Sequence, residues 1–252
     1  MRLFKHISIN TWCWLFPFIF ICNTILLGQD INTIQQQISN VLSNANQVYG
    51  PDEMLENGRL YIPDHPKAKG NPYLSDTEWM FTKLIVAGDI FDGVLIKYNV
   101  NHEQIILKKE NSKQESHIPI ILNNNFIDAF SAGDRYFVNL KSMPFIDELS
   151  GFGELIYKER IIFFIKHHKE FLNQFSQSNP YGAYSKLNSD YYILNNGNLT
   201  RLNTKGAFLK YFEPHKKEIE KYIRQHKIRY RKATSPQLFE LIKYCDEISH
   251  SE

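Results

Sequence analysis

The chain has 252 residues, 43% of them hydrophobic, and carries 29 Lys and Arg against 27 Asp and Glu. That is enough apolar material for one large domain or two small ones, and it excludes global disorder. Charge so near balance gives no support for a nucleic-acid binder, whose phosphate contacts require a clear basic excess.

Arg2, Lys5 and His6 precede an almost wholly apolar run from Trp12 to Leu27, which closes on Gly28-Gln29-Asp30. A basic start, an apolar middle and a small residue at the break form the pattern of a secretory signal peptide over 1–28, with cleavage expected between Gly28 and Gln29. Pro17 and Asn23 interrupt the run, which is short for a membrane span of about 20 residues, so no transmembrane span is expected after cleavage. Bases and acids come into exact balance once Arg2 and Lys5 leave with this leader. The expected location is outside the cytosol: periplasmic, at the cell surface or secreted. Cys13 and Cys22 fall inside the leader and leave Cys245 alone behind it, so no internal disulfide is expected. Cys22 also raises lipoprotein processing, which cuts before a cysteine. The bulky Phe20 and Ile21 speak against that route, and the soluble reading is preferred.

Behind the leader, Ile31, Ile34, Ile38, Val41, Leu42 and Ala45 recur at helical spacing among Gln, Asn and Ser, which predicts an amphipathic helix from Ile31 to Ala45. Turn formers dominate Tyr49 to Leu74, with room for one short strand from Arg59 to Ile62. Candidate strands follow at Thr82–Ala87, Val94–Asn99, Gln104–Lys109, Ile118–Leu122, Tyr136–Leu140, Glu154–Tyr157 and Arg160–Lys166. Gly88-Asp89, Asp92-Gly93, Asn123-Asn124-Asn125, Gly133-Asp134 and Lys158-Glu159 punctuate them. Strands so short, joined without room for crossover helices, predict an antiparallel β-meander. Imperfect alternation in Val94-Leu95-Ile96-Lys97-Tyr98 suggests strands covered on both faces.

A polar, Tyr-bearing loop (Ser176 to Ser189) leads to a hairpin whose arms, Tyr191–Asn195 and Asn198–Leu202, flank Asn196-Gly197. Asn-Gly supplies the two left-handed residues of a type I′ turn. Helices are expected at Lys205–Phe212 and at Pro214–Lys227. A last helix is expected to be capped by Ser235, with Pro236 in its first position and a stripe of Leu238, Leu241, Ile242, Cys245 and Ile248. Cys245 belongs to that stripe and reads as a buried, inert thiol. The expected fold is therefore α+β: an antiparallel β-meander, open barrel or sandwich-like, with an N-terminal helix and a C-terminal helical segment. Residues 29–175 would hold the helix and meander, and 176–252 the hairpin and helices on the same core.

Chemistry-bearing motifs are sparse. Ala129-Phe130-Ser131-Ala132-Gly133 approximates the Gly-x-Ser-x-Gly elbow of serine hydrolases, but Gly133-Asp134 leads into a strand where the elbow needs a helix, so a hairpin turn is the better reading. His167-His168 would point to opposite faces of a strand and reads, like the scattered remaining histidines, as ordinary surface. Asp89, Asp92-Gly93 and Asn195–Asn198 lack the alternating spacing of a calcium loop and are explained by turn chemistry. No metal or cofactor is expected. The strongest charge anomaly lies between Lys205 and Lys232, where ten Lys and Arg face three Glu and Tyr211, Phe212, Tyr222 and Tyr230 are interleaved. Lys216, Lys217, Lys221, Arg224 and Lys227 are the candidate surface for an anionic lipid or glycan. The competing reading is a solvated helix face strengthened by pairs such as Glu220 with Arg224.

The segments NGRLYIPDHPKAKGNPYL, FDGVLIKYNVNHEQIIL and YYILNNGNLTRLNTKGAFLKYFEPHKKEIEKYIRQHKIRY together resemble a group of exported proteins of Bacteroidota, whose leaders often end in Gly-Gln or Ala-Gln. The resemblance implies export and the β-then-helix layout, and it carries over no functional residues. Two function classes follow: a non-catalytic envelope protein binding a protein, lipid or glycan partner, or a hydrolase of envelope polymers without a recognisable motif.

Overall fold

The computed structural model describes residues 58–249, apart from 76–78, 112–115, 145, 147–148 and 178. The leader and the helix expected at Ile31–Ala45 lie outside the described residues.

Two-residue turns set the topology. Ala87-Gly88 (φ 49° and 88°) joins β2 (Met80–Val86) to β3 (Asp89–Asn99), and Gly133-Asp134 joins β6 (Ile127–Ala132) to β7 (Arg135–Asn139). Asn196-Gly197 (φ 48° and 78°) joins β12 (Asn188–Asn195) to β13 (Asn198–Arg201) as the sequence predicts. Positive φ at both central residues of Ala87-Gly88 and Asn196-Gly197 is the type I′ geometry, whose twist matches that of the flanking strands, whereas in Gly133-Asp134 only the glycine (φ 62°) is left-handed. With β1 (Arg59–Leu60), β4 (Gln104–Asn111), β5 (Ser116–Ile121), β8 (Phe152–Lys158) and β9 (Ile162–His168) they form one antiparallel sheet in the order β1-β5-β4-β3-β2-β6-β7-β8-β9-β12-β13. One meander runs outward from β2 to β5, and β6 returns to the other side of β2 to start the second. A separate pair, β10 (Phe171–Leu172) and β11 (Ala183–Tyr184), lies between β9 and β12.

The sheet is strongly curled. Tyr98 in β3 and Phe152 in β8 are separated by β2, β6 and β7, which in a flat sheet would set their strands about 19 Å apart. Their ring centroids are 5.7 Å apart, and Phe130 and Phe137 complete a buried aromatic cluster in the hollow. Further along the same face, Phe163, Ile165, Tyr191 and Ile193 of β9 and β12 pack on the helices. These are α1 (Lys205–Tyr211), α2 (Lys216–Gln225) and α3 (Ser235–Ser249). The opposite face of β9 and β12 is covered as well: Phe164 and Leu194 are buried with Leu140 and Ile146 of the β7–β8 connection.

Several elements differ from expectation. Asp92-Gly93 does not end a strand. Thr82 pairs with Val94 and Leu84 with Phe91, so Lys83 faces two residues and β3 continues through a bulge, with Gly93 at φ 73°. The elbow-like Ser131 stands in β6, a strand the sequence reading lacks, paired with Tyr136. Pro214 sits in a 3-10 turn over Glu213–His215, and the helix proper starts at Lys216. Thr234, not Ser235, caps α3. Its hydroxyl accepts from Gln237 N at 3.4 Å while its own N–H donates to Gln237 Oε1 at 3.1 Å. This capping box releases the Ser235 hydroxyl for other use.

Two outcomes test this packing. Gly197→Val forces a β-branched side chain to φ 78° and should cost about 1–3 kcal/mol, read as a lowered Tm. Cys245 is fully buried in the α3 stripe beside Leu238, Leu241 and Ile242, and burial pushes its thiol pKa well up. It should resist thiol reagents until the protein unfolds, and rapid native labelling would contradict that placement.

Candidate functional site

All five cations singled out from the sequence, Lys216, Lys217, Lys221, Arg224 and Lys227, are exposed. Helix α2 turns Ile219 and Ile223 into the core, and Tyr222 lies flat against Tyr244 of α3 at 4.3 Å. Lys217, Lys221 and Arg224 recur four and three residues apart on the side away from Ile219 and Ile223. Lys227 takes a left-handed conformation (φ 52°), and Ile228 N donates back to Ile223 O at 2.9 Å. This Schellman-type end buries Ile228 and leaves Lys227 outside. Among the described residues none of the five is in an ion pair, and the Glu220–Arg224 pair is not formed. Beside the helix runs a groove of about 500 Å³ whose walls include Lys205, Arg224, Lys227 and Arg229, with Glu220 on one side.

The rest of the basic tract is not surface in the same sense. Arg231 donates to Ser189 O at 2.7 Å and lies over the Tyr191 ring, so it is committed to the sheet. Phe212 and Tyr230 are buried, with the Tyr230 hydroxyl donating to Leu202 O at 2.8 Å, and Tyr211 and Tyr222 are half-buried. The aromatic residues interleaved in the sequence therefore serve the core and do not share the cationic face.

A second cluster escaped the sequence reading. Phe137, Glu154, Ile165 and Tyr191 are register partners across β7, β8, β9 and β12, so their side chains share the helix-covered face. His167, two residues beyond Ile165, joins them and is buried, which corrects its assignment as a surface histidine. His168 points the other way and lies 3.8 Å from Asp190, half-buried. Glu154 is 2% exposed. One of its carboxylate oxygens accepts from Arg135 and from His167 Nε2, each at 2.7 Å, and the other accepts from the Ser235 hydroxyl. With Nε2–H donating to Glu154, Nδ1 is left to accept from the Ser189 hydroxyl at 2.8 Å. Burial alone would raise the Glu154 pKa, but the hydrogen bonds from His167, Arg135 and Ser235 overcome it and bring it down to about 2. Burial pushes His167 below its ordinary value, Arg135 pushes the same way, and Glu154 only partly offsets them.

Ser189, His167 and Glu154 thus stand in the order of a serine–imidazole–carboxylate relay. The relay needs an imidazole that accepts the serine proton and becomes cationic. Here the Arg135 guanidinium lies 2.7 Å from the same imidazole nitrogen and already neutralises the carboxylate. A second positive charge at that contact is opposed, and the arrangement works as a brace between four strands and the start of α3.

Two adjoining cavities of about 440 and 400 Å³ share His102 of the β3–β4 turn and Asn124 of the β5–β6 turn. Neither was visible in the sequence, because their walls come from separate turns. Among the described residues no group of three His, Cys, Asp or Glu is placed to hold a metal ion. No protein-family model, curated protein or solved structure matches this chain.

The brace has a pH signature. His167 in the unfolded chain takes up a proton near its ordinary value of 6.5, which the folded chain refuses until lower pH, so stability falls with acid from about pH 6.5 downward. Glu154 adds a further loss as pH drops from 4.5 through about 2. His167→Gln should flatten the pH dependence of the urea midpoint from about pH 7 to 5. Parallel curves for the two proteins would contradict the brace. Glu154→Gln removes the buried negative charge that faces Arg135 and puts an amide NH2 in place of one accepting oxygen, and should cost roughly 3–5 kcal/mol.

Proposed function

We propose that this chain is an exported, non-catalytic envelope protein, periplasmic or at the cell surface, that binds an anionic partner through α2 and the groove beside it. The observation that carries the reading is the set of outward, unpaired cations on a helix whose other side is fixed in the core. The leader-like start and the resemblance to exported proteins of Bacteroidota support the location. Lipid headgroups and acidic glycans are the partner chemistries an envelope offers to such a face. Nucleic acids stay outside the proposal because the whole chain is nearly neutral. The same reading takes the curled sheet as an open barrel serving as a rigid support for the helices. A hydrolase draws on the Ser189–His167–Glu154 order alone, and the contact with Arg135 weighs against it.

Binding through exposed charges is screened over about 8 Å at physiological ionic strength, so it should weaken steadily as salt rises. The test is co-sedimentation with vesicles containing or lacking anionic phospholipid, alongside retention on an acidic polysaccharide. Each lysine near an anionic surface contributes about 1 kcal/mol, so replacing Lys216, Lys217 and Lys221 together by Gln should weaken binding by about 100-fold at unchanged Tm. Absence of binding to both supports at low salt would overturn the proposal.

A further inference from the structure

The paired cavities at the β3–β4 turn have a construction that the curl of the sheet alone does not require. Asn101, His102 and Glu103 form the turn, with the Asn99 side chain accepting from the backbone N–H of Asn101 at 3.0 Å and of His102 at 3.1 Å. Glu103 is held in a left-handed conformation at φ 56°, which costs a non-glycine residue energy that the surroundings must repay. Lys166 of β9 pairs with its carboxylate, and the Ser150 hydroxyl donates to it at 3.3 Å. Position 151 suits glycine, because its backbone sits at φ 76° and a Cβ there would displace the Glu103 carboxylate. The Asn124 side chain donates to Glu103 O from the facing turn. The corner is thereby fixed from three sides, and the two cavities open against it.

The chemistry of the walls is narrow. Ile121 and Leu122 are the apolar residues of one cavity, too few for a lipid or an aromatic cofactor. Arg59 lines one cavity and Lys141 the other, so no cation cluster converges as a phosphate would need. Glu103 is the single carboxylate of the lining and is neutralised by Lys166, so the pair of carboxyls that glycoside hydrolysis uses is missing from these walls. What remains are amides with unused capacity. Among the described residues the Gln104 side chain makes no hydrogen bond, and Asn101 donates to Lys169 O at 2.9 Å but its Oδ1 accepts none. Amides that both donate and accept match hydroxyl and acylamino groups, each of which also does both.

We propose that these adjoining cavities form a binding site for an uncharged saccharide, one sugar ring to each cavity, separate from the cationic face of α2. The site binds and does not cleave. Recognition rests on neutral hydrogen bonds, so it is insensitive to salt, unlike the binding proposed for α2.

The test is a titration of the full chain with chitobiose, cellobiose and maltose, followed by NMR chemical shifts at low and at high salt. At least one of the three should move the backbone signals of residues 101–104 and 123–125 with a dissociation constant in the millimolar range or tighter, unchanged by salt. Gln104→Ala should weaken that binding about tenfold while Tm stays the same, Asn101→Ala should weaken it as much with a Tm lowered by loss of the bond to Lys169 O, and replacing Lys216, Lys217 and Lys221 by Gln should leave it intact. No shift with any of the three sugars at about 100 mM, well above such a constant, would overturn the proposal. So would shifts that map elsewhere or survive both substitutions at full strength. Failure here leaves the α2 reading standing, because the two readouts differ in ligand, salt response and residues.

Discussion

Taking a carboxylate out of water costs several kcal/mol unless donors meet it on the protein side, and Glu154 is met by three. Arg135 arrives from β7, His167 from β9 and Ser235 from the first turn of α3. Each donor is in place only if the register of the sheet and the docking of the last helix are both correct. A slip of one residue in β8 would turn Glu154 to the opposite face and leave Arg135 and His167 without their acceptor. The cluster therefore specifies register more than it adds stability, in the way a buried polar residue can at a cost. The Thr234–Gln237 capping box belongs to the same device, since a Ser235 spent on capping would not reach the carboxylate.

Around that point the chain builds two interiors from one sheet. Curling brings Tyr98 and Phe152 into edge contact across three intervening strands, and the hollow fills with aromatic rings. Where the sheet continues past β8 the hollow gives way to the helices, and Tyr157 donates to Asp246 of α3 at 2.8 Å to fasten the far end. The β7–β8 connection then covers the outer face with Leu140 and Ile146. Strands β9 and β12 are thus covered on both sides, which is why Phe163-Phe164-Ile165 runs without alternation.

The parts legible in the sequence are those fixed by neighbours in the chain. Asn196-Gly197 names its own turn, and the α3 stripe with Cys245 follows from helical spacing. The cations of α2 fall outside because Ile219 and Ile223 must fall inside. What could not be read depends on pairing across the sheet. β6 is a short strand with small residues, Ala129, Ser131 and Ala132, and only its partners β2 and β7 make it one. Asp92-Gly93 looks like a turn until the bulge opposite Lys83 is seen. His167 looks like half of a surface pair, and nothing local announces the carboxylate thirteen residues earlier that draws it inward. The adjoining cavities are walled by turns that lie far apart in the chain.

The distribution of charge separates the two kinds of work. Inside, Glu154 is matched by Arg135, and Asp246 lies 3.4 Å from Arg160. Change there is felt as lost stability, because a partner is stranded away from water. Among the described residues the cations of α2 have no partner to strand, and the helix is held by Ile219, Ile223 and the Tyr222–Tyr244 stack on its other side. Like charges spaced three and four residues apart on one helix face repel, so leaving them unpaired carries a small cost to the helix. A face that tolerates this cost, on a chain whose interior leaves Glu154 fully matched, is the surface on which an external anion has most to offer.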